Sequence, residues 1–483
     1  MPTKVSIASR RSKSRERYII VLPDQGMVRK ISTAHFGIKA RDQSWNAYLD
    51  SFIRANETYL KALEIDIDFS ASADEVEIGL KANGIVGAVP LKAPDTHKII
   101  GGIVVKPRYG WRSVGALLSN IGWSAAPEVL KCPLVPGSAQ EIPPWVIAGP
   151  AIAKIESLLR HSGPRFRERS ELRQAPRGQI QWQEYCSRQL PAGKYHELPC
   201  RYSDLDIDES LMRYIRWSLE KVGLSLAPFI RSDLIARKLN EHVDQLVAAL
   251  GFVRPAVPDH KSLEVMERRM RYDGRIVQSG FEAMRWILDE RGLAGNVEID
   301  GLAWRLKMHE LFEMWMESVV RSWAKGFGGR VSSGRKLESL SPIQWNSSWV
   351  NSLTGLIPDV VVETADEIFI FDAKYKGYLD EVDELRWRAS AEFLKEEHRH
   401  DLHQVVAYSS MYEAKRVTAV LVYPMRLETW QRLSSRGADV ILGELDGPSR
   451  KIRLALVGLP MEQAFLSEGE SVGISLDKLR TLA

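Results

Sequence analysis

Asp359, Asp372 and Lys374 are residues whose types and spacing could do chemistry. They lie on two apolar runs, Leu356-Ile-Pro-Asp-Val-Val-Val-Glu363 and Ile368-Phe-Ile-Phe-Asp-Ala-Lys-Tyr-Lys376, joined by the polar turn Thr364-Ala-Asp-Glu367 as a hairpin requires. Residues 368 to 371 carry no polar break, so the second run reads as a strand buried on both faces and ending in charge. Strand periodicity sets Asp372 and Lys374 on one face and Ala373 on the other. Neighbouring carboxylates repel and resist desolvation unless a divalent cation lies between them; hard oxygen ligands favour magnesium, with manganese as a substitute. Such an ion can stabilise charge on a phosphate under attack and acidify a bound water, while the nearby amine holds that water or the phosphate. The chemistry on offer is metal-dependent phosphodiester cleavage.

Neither piece of the pattern is specific by itself. Pro-Asp recurs at Pro23-Asp24, Pro94-Asp95 and Pro258-Asp259, and an acid two residues before lysine recurs at Asp259 and Glu413. Only Asp359 and Asp372 sit on adjacent apolar β-runs. The flanking elements must hold them. Upstream, Trp304 to Trp323 has apolar residues at 304, 308, 311, 312, 315, 319 and 323, a helical spacing with Glu313 beside the stripe. From there Glu313 could turn toward the sheet as a third carboxylate, or stay an ordinary exposed helix glutamate. Downstream, Asp401-Leu-His-Gln-Val-Val-Ala-Tyr408 reads as a helix with Gln404 and Tyr408 on one face, followed by the strand Arg416–Pro424.

Helix with Glu313, hairpin with Asp359 and Asp-Ala-Lys, helix with Gln404, then strand: this order resembles the PD-(D/E)XK nuclease superfamily. More narrowly it resembles the McrC family, the nuclease subunits of modified-cytosine (type IV) restriction systems. The narrower resemblance rests on Leu311-Phe-Glu313, Asp372-Ala-Lys-Tyr-Lys376 and Gln404-Val-Val-Ala-Tyr408, with Arg177-Gly-Gln-Ile-Gln-Trp182 and Cys200-Arg-Tyr202 in the middle of the chain. It implies that Glu313, Asp359 and Asp372 form a magnesium site, that Lys374 orients the water and that Gln404 supports the site. It also implies a separate AAA+ NTPase partner, GTPase or ATPase, assembling as a ring. Residues 380 to 400 depart from the family in length. A lid, a DNA contact and a solvated helix are the readings for that charged stretch, the last being favoured.

At 483 residues the chain is too long for one core and suggests about three domains. The expected fold is multidomain α+β. A flexible basic arm at 1–17 carries Lys4, Arg10, Arg11, Lys13, Arg15 and Arg17 against one acid, Glu16. A β-rich N-terminal domain for docking a partner or DNA follows at 18–140, then a helical middle domain at 141–295 beyond a Pro- and Gly-rich boundary. For residues 296–483 the resemblance implies an α/β PD-(D/E)XK nuclease domain with a central mixed sheet. In the middle domain, helices are expected at 145–160, 209–223, 231–250 and 262–291, with a basic loop around Arg165, Arg167, Arg169, Arg173 and Arg177.

Formal charge is +4, which nucleic acid binding tolerates and does not require. Arg165, Arg167, Arg177 and Lys376 are the candidate DNA contacts, arginine because its planar fork matches phosphate oxygens. Interleaved acids such as Glu168 and Glu171 fit a merely solvated face equally well. Cys132, Cys186 and Cys200 lack metal-ligand spacing, so reduced thiols are expected and zinc is not. No apolar run approaches the roughly 20 residues needed to cross a bilayer, and no secretion signal opens the chain. A soluble, cytoplasmic protein is the expectation, with an oligomer allowed. Gly329-Arg-Val-Ser-Ser-Gly334 has the glycine separation of a phosphate-binding loop, but Arg335 and Lys336 follow where lysine and a hydroxyl residue should stand. The chain itself is expected not to hydrolyse nucleotide. The sequence reading is a magnesium-dependent DNA endonuclease subunit of a restriction or anti-phage system. Its alternatives are a catalytically silent nuclease-fold scaffold and an RNA-directed nuclease.

Overall fold

The computed structural model describes residues 18–26, 28–32, 45–71, 76–123, 125, 127–138, 141–163, 165–206, 209–270, 274–289, 301–346, 355–385, 392–446, 451–462 and 470–481. The basic arm expected at 1–17 and residues 386–391 of the charged connection lie outside them. In the first part of the chain, short runs rich in valine and isoleucine form β1 (Tyr18–Pro23), β2 (Arg29–Ser32), β3 (Ile65–Ala71), β4 (Val76–Ala82), β5 (Ile85–Lys92), β6 (Ile99–Lys106) and β7 (Glu128–Val129), with helices α1 (Trp45–Ala62) and α2 (Gly110–Asn120). One sheet has the order β2-β4-β3, antiparallel throughout. Phe52, Leu60 and Leu63 of the α1 region share a buried core with Ile78, Leu80, Ile85 and Val89. The apolar faces of helix and strands thus leave water together.

Met1–Pro143 and Glu298–Ala483 form one compact unit, and Pro144–Val297 forms a second. The second contains α3 (Trp145–His161), β8 (Arg165–Arg173), β9 (Gln179–Ile180), α4 (Trp182–Glu184), β10 (Leu198–Asp206), α5 (Glu209–Leu226), α6 (Leu234–Ala249), α7 (His260–Arg269) and α8 (Gly274–Leu288). Its core is built by helical spacing: Ile152, Ile155 and Leu158 on α3, Leu211, Ile215 and Leu219 on α5, Phe281 and Met284 on α8 are all buried. Two expectations are corrected here. The arginine-rich segment is a strand and not a loop, because β8 pairs antiparallel along its whole length with β10, setting Arg165 opposite Asp206 and Arg167 opposite Asp204. The helix expected over 262–291 is two helices, since Gly274 adopts φ +79, which a helix interior does not accommodate.

The chain re-enters the first unit through β11 (Trp304–Lys307), which joins β5 and β7 to complete a sheet of order β1-β6-β5-β11-β7. The helical reading from Trp304 is therefore wrong for four residues. Trp304 and Leu306 point inward and alternate with Arg305 and Lys307, and that period of two governs until α9 (Met308–Lys325) begins. Next come β12 (Arg330–Ser333), β13 (Ser341–Pro342), β14 (Gly355–Leu356), β15 (Val360–Glu363), β16 (Glu367–Ala373), α10 (Tyr378–Leu385), α11 (Glu392–Ser409), β17 (Arg416–Met425), α12 (Leu427–Ser434), β18 (Val440–Asp446), β19 (Lys451–Pro460) and α13 (Glu470–Thr481). Six of these strands make a mixed sheet, β12-β15-β16-β17-β19-β18, in which β16, β17 and β19 run parallel and the rest antiparallel.

Helices cover both faces of β16. Phe369 and Phe371 meet Trp323 of α9 at ring-centroid distances of 5.2 and 5.9 Å, while Ile368 and Ile370 pack with Val405 and Tyr408 of α11. A strand sealed in this way leaves only its end free for polar side chains.

Candidate active site

The hairpin register pairs Val360 with Phe371, so the next residues outward, Asp359 and Asp372, stand opposite one another at the open end of β15 and β16. Asp359 Oδ2 accepts the Ala373 backbone N–H at 2.7 Å, which ties its carboxyl to the neighbouring strand. Gly334 approaches the backbone at Asp359 closely: it donates its N–H to the Asp359 carbonyl at 2.8 Å, and a Cβ on Gly334 would collide with the Pro358 carbonyl. Asp372 is 1 % exposed. The Lys374 ammonium lies 2.6 Å from its Oδ2, yet that oxygen has no aligned hydrogen bond, so the contact is ionic and a lone pair stays open. Lys374 Nζ donates to Gln404 Oε1 at 2.8 Å, and Gln404 Nε2 donates to the Tyr408 hydroxyl at 2.7 Å. One helical turn separates these two residues, so α11 presents both to β16.

Electrostatics bind Glu313 to the same cluster. Burial, then the charges of Asp372 and Glu313, push the Asp359 carboxyl up to about 8, against the pull of the Ala373 N–H and Lys374. Burial also raises the pKa of Asp372, opposed by Lys374, and that of Glu313, opposed by Arg335 and reinforced by Glu317, Glu310 and Asp372. Burial disfavours the Lys374 charge, but Asp372, Asp401 and Asp359 outweigh it and hold the ammonium above its ordinary range. Asp359, Asp372 and Asp401 thus share one amine. Among the described residues no three His, Cys, Asp or Glu side chains are drawn together into a ready metal cage. Magnesium is commonly held by one or two carboxylates and keeps several waters. The opposed pair Asp359 and Asp372, with an open oxygen and carboxyl groups whose ionisation burial opposes, fits that demand, and Glu313 adds its field.

Of the residues singled out from sequence, Asp359, Asp372, Lys374 and Gln404 come together, and Glu313 is linked to Asp359 and Asp372 through charge alone. The DNA-contact candidates divide between the units: Lys376 belongs to the first, Arg165, Arg167 and Arg177 to the second. Lys376 Nζ bonds both Asp401 oxygens, at 2.9 and 3.1 Å, and Asp401 also accepts from the Tyr423 hydroxyl at 3.0 Å. The Arg177 guanidinium stacks on the Tyr202 ring at 4.2 Å.

Sequence reasoning missed a buried group behind the lysine. Asp24, one of the Pro-Asp pairs set aside for lack of a hairpin, is fully buried and accepts the Tyr375 hydroxyl at 2.6 Å. The guanidinium of Arg108 lies over the Tyr375 and Tyr109 rings at 4.7 and 5.0 Å. Tyr375 stood within a quoted motif, but its partner is 351 positions away and no local pattern joins them.

No curated protein matches the chain. Two solved assemblies from Thermococcus gammatolerans resemble it distantly. One is a half-complex of a tetradecameric assembly of McrB AAA+ hexamers with bound McrC: 16 % identity, TM-score 0.40, 95 % of this chain and 100 % of that one covered. The other is a cryo-EM structure of the McrBC complex: 14 % identity, TM-score 0.27, coverage 63 % and 88 %. Likeness this slight carries no argument. The model of one family, described as McrBC 5-methylcytosine restriction system component, matches residues 151–424, a span that includes Glu313, Asp359, Asp372, Lys374 and Gln404. That span is more than half of the 483 residues, and the chain belongs to this family.

Proposed function

We propose that this chain is the DNA-cutting subunit of a modified-cytosine restriction system in the cytoplasm, hydrolysing phosphodiester bonds with magnesium alongside a separate AAA+ NTPase. In this reading α9, β12, β15, β16, α11 and β17 constitute a PD-(D/E)XK core. The observation that carries it is the opposition of Asp359 and Asp372 at a strand end with the Lys374 ammonium 2.6 Å from Asp372. An acid pair plus an amine is costly to bury unless it serves a charged reaction. Asp359 and Asp372, with Glu313, would hold magnesium, or manganese in its place. When bound, the ion supplies charge stabilisation at the phosphate and an acidified water.

The side chains of this protein do the rest. Lys374, kept ionised by its acidic neighbours, donates to the attacking water or to a phosphate oxygen. Gln404 limits the amine to one arc of positions, and Tyr408 limits Gln404 in turn. The hydrogen bond from Ala373 holds Asp359 in place as the other groups move. Lys376 adds positive charge beside the site; Arg165, Arg167 and Arg177 remain phosphate-contact candidates of the second unit taken by itself. Family membership as one component of a restriction system supports a second component, assigned here to the NTPase ring.

The test is cleavage of modified-cytosine plasmid and of RNA by the chain with its partner, in magnesium or manganese, wild type against Asp372→Ala. DNA should be cut and the variant should lose about a hundred- to a thousandfold in rate. A wild type that cuts nothing, or a variant that cuts equally well, replaces this reading with a silent scaffold; preference for RNA replaces the substrate.

A further inference from the structure

Tyr375 follows Lys374 directly, and it is gripped at both ends by the residues that leave β1. Its hydroxyl donates to Asp24 Oδ2 at 2.6 Å, and its carbonyl accepts from Gln25 Nε2 at 2.9 Å. Asp24 is itself fixed on every side. Its N–H donates to Lys106 O at 2.9 Å, its carbonyl accepts the Gly84 N–H at 2.6 Å, and Oδ1 accepts the Arg108 N–H at 3.0 Å. The Tyr375 ring lies between the Arg108 guanidinium at 4.7 Å and Phe312 at 6.1 Å, and Phe312 precedes Glu313. Arg108 is half-buried, and its Nε and Nη2 are out of solvent and without hydrogen-bond partners. Its charge is balanced by Asp24 and the two ring faces.

We propose that Asp24, Arg108 and Tyr375 form a positioning device for Lys374, so that the N-terminal sheet is part of the cutting machinery and not only a docking module. The inference rests on the nuclease reading above. Lys374 is held on its other flank by its N–H to Val422 O at 2.8 Å, so the backbone that carries the amine is pinned between β17 and the β1 exit. A charge-assisted hydroxyl-to-carboxylate bond is short and directional, and losing its donor leaves a buried carboxylate one partner short. Tyr375 has no need of such a bond merely to fill space. Phenylalanine would do that.

The experiment compares the full chain with its partner as wild type, Tyr375→Phe, Gln25→Ala and Asn56→Ala. Asn56 is buried in the same unit and bonded to Phe52 and Lys92, away from Tyr375, so its variant lowers stability alone. Tyr375→Phe should lower kcat by about ten- to a hundredfold with KM for DNA unchanged, because a displaced amine costs rate and not substrate affinity. Gln25→Ala, the milder change, should move kcat the same way by less. In a second readout without DNA or partner, amine-specific labelling of Lys374 should rise in both variants relative to Lys61, whose side chain is 76 % exposed. Asn56→Ala should lower Tm and leave kcat and labelling alone. Unchanged labelling of Lys374 in folded Tyr375→Phe and Gln25→Ala overturns the proposal. So does a kcat loss that Asn56→Ala reproduces at matched Tm. If the wild type cuts no DNA, the nuclease reading falls by itself and the labelling comparison still decides whether this cluster places the lysine.

Discussion

A carboxyl group held near 8 by burial and two acidic neighbours is charge that the fold suppresses, and that a cation beside it would restore. In the unfolded chain Asp359 ionises at its ordinary 3.8, in the folded chain near 8. Between those values the native state keeps a proton that the unfolded state has lost, so this group's contribution to stability falls as pH rises. It is whole below 3.8 and has gone once pH passes 8. Asp359→Asn preserves the shape and removes the titration. In EDTA, the variant's Tm should therefore gain on the wild type's as pH climbs, with the gap levelling off above about pH 8. Magnesium, which needs the ionised form, should raise wild-type Tm more at about pH 8.5 than at about pH 6, and raise the variant's less at both. Parallel curves with and without metal would show that Asp359 neither carries the conflict nor meets the ion.

Elements convert such residues into a site by period and register. On α11, Gln404 and Tyr408 are one turn apart, and their hydrogen bonds form a chain that ends on Lys374. Gln404→Ala removes a neutral side-chain acceptor of the amine, so Lys374 should rest on Asp372 alone and cleavage should drop about tenfold. Tyr408→Phe cuts only the outer link and should cost about two- to threefold. Initial rates on plasmid DNA give the order, and a larger loss in Tyr408→Phe would refute the chain as drawn. This part was readable in advance: an uninterrupted Ile-Phe-Ile-Phe run has no stable home except a covered strand, and a four-residue spacing fixes a helix face. Elsewhere the local pattern gave too little. Trp304–Lys307 is too short for a period of two to stand out from the helix that follows. In β8 the alternation is of charges and not of apolar residues, and the strand exists because β10 pairs with it from 25 or more positions away. The bond from Asp24 to Tyr375 had no sequence signal, since contact across most of the chain is set by how sheets pack and not by any neighbour.

Over the whole molecule, positive charge is nearly matched by negative. Sixty-six basic residues face 62 acidic ones, a net of +4, too little for a long-range field that would draw DNA in. At the site, Lys374 is paired with Asp372 and Lys376 with Asp401. On the nuclease reading proposed above, weak capture of the substrate restrains cutting, and delivery of the duplex falls to the partner. The chain alone should bind labelled duplex DNA no tighter than about 1 μM at physiological salt, the range of non-specific contacts, with log K falling against log salt at a slope no steeper than about −3. Lys376→Ala should flatten that slope by about one unit and weaken all sequences alike, as loss of one phosphate contact does. Addition of the NTPase partner should tighten binding and start cleavage together. Fluorescence anisotropy across a salt series measures all three. Nanomolar binding by the isolated chain would mean that its own surface captures DNA, and control of cutting would then have to lie in the order of the Asp359 and Lys374 groups themselves.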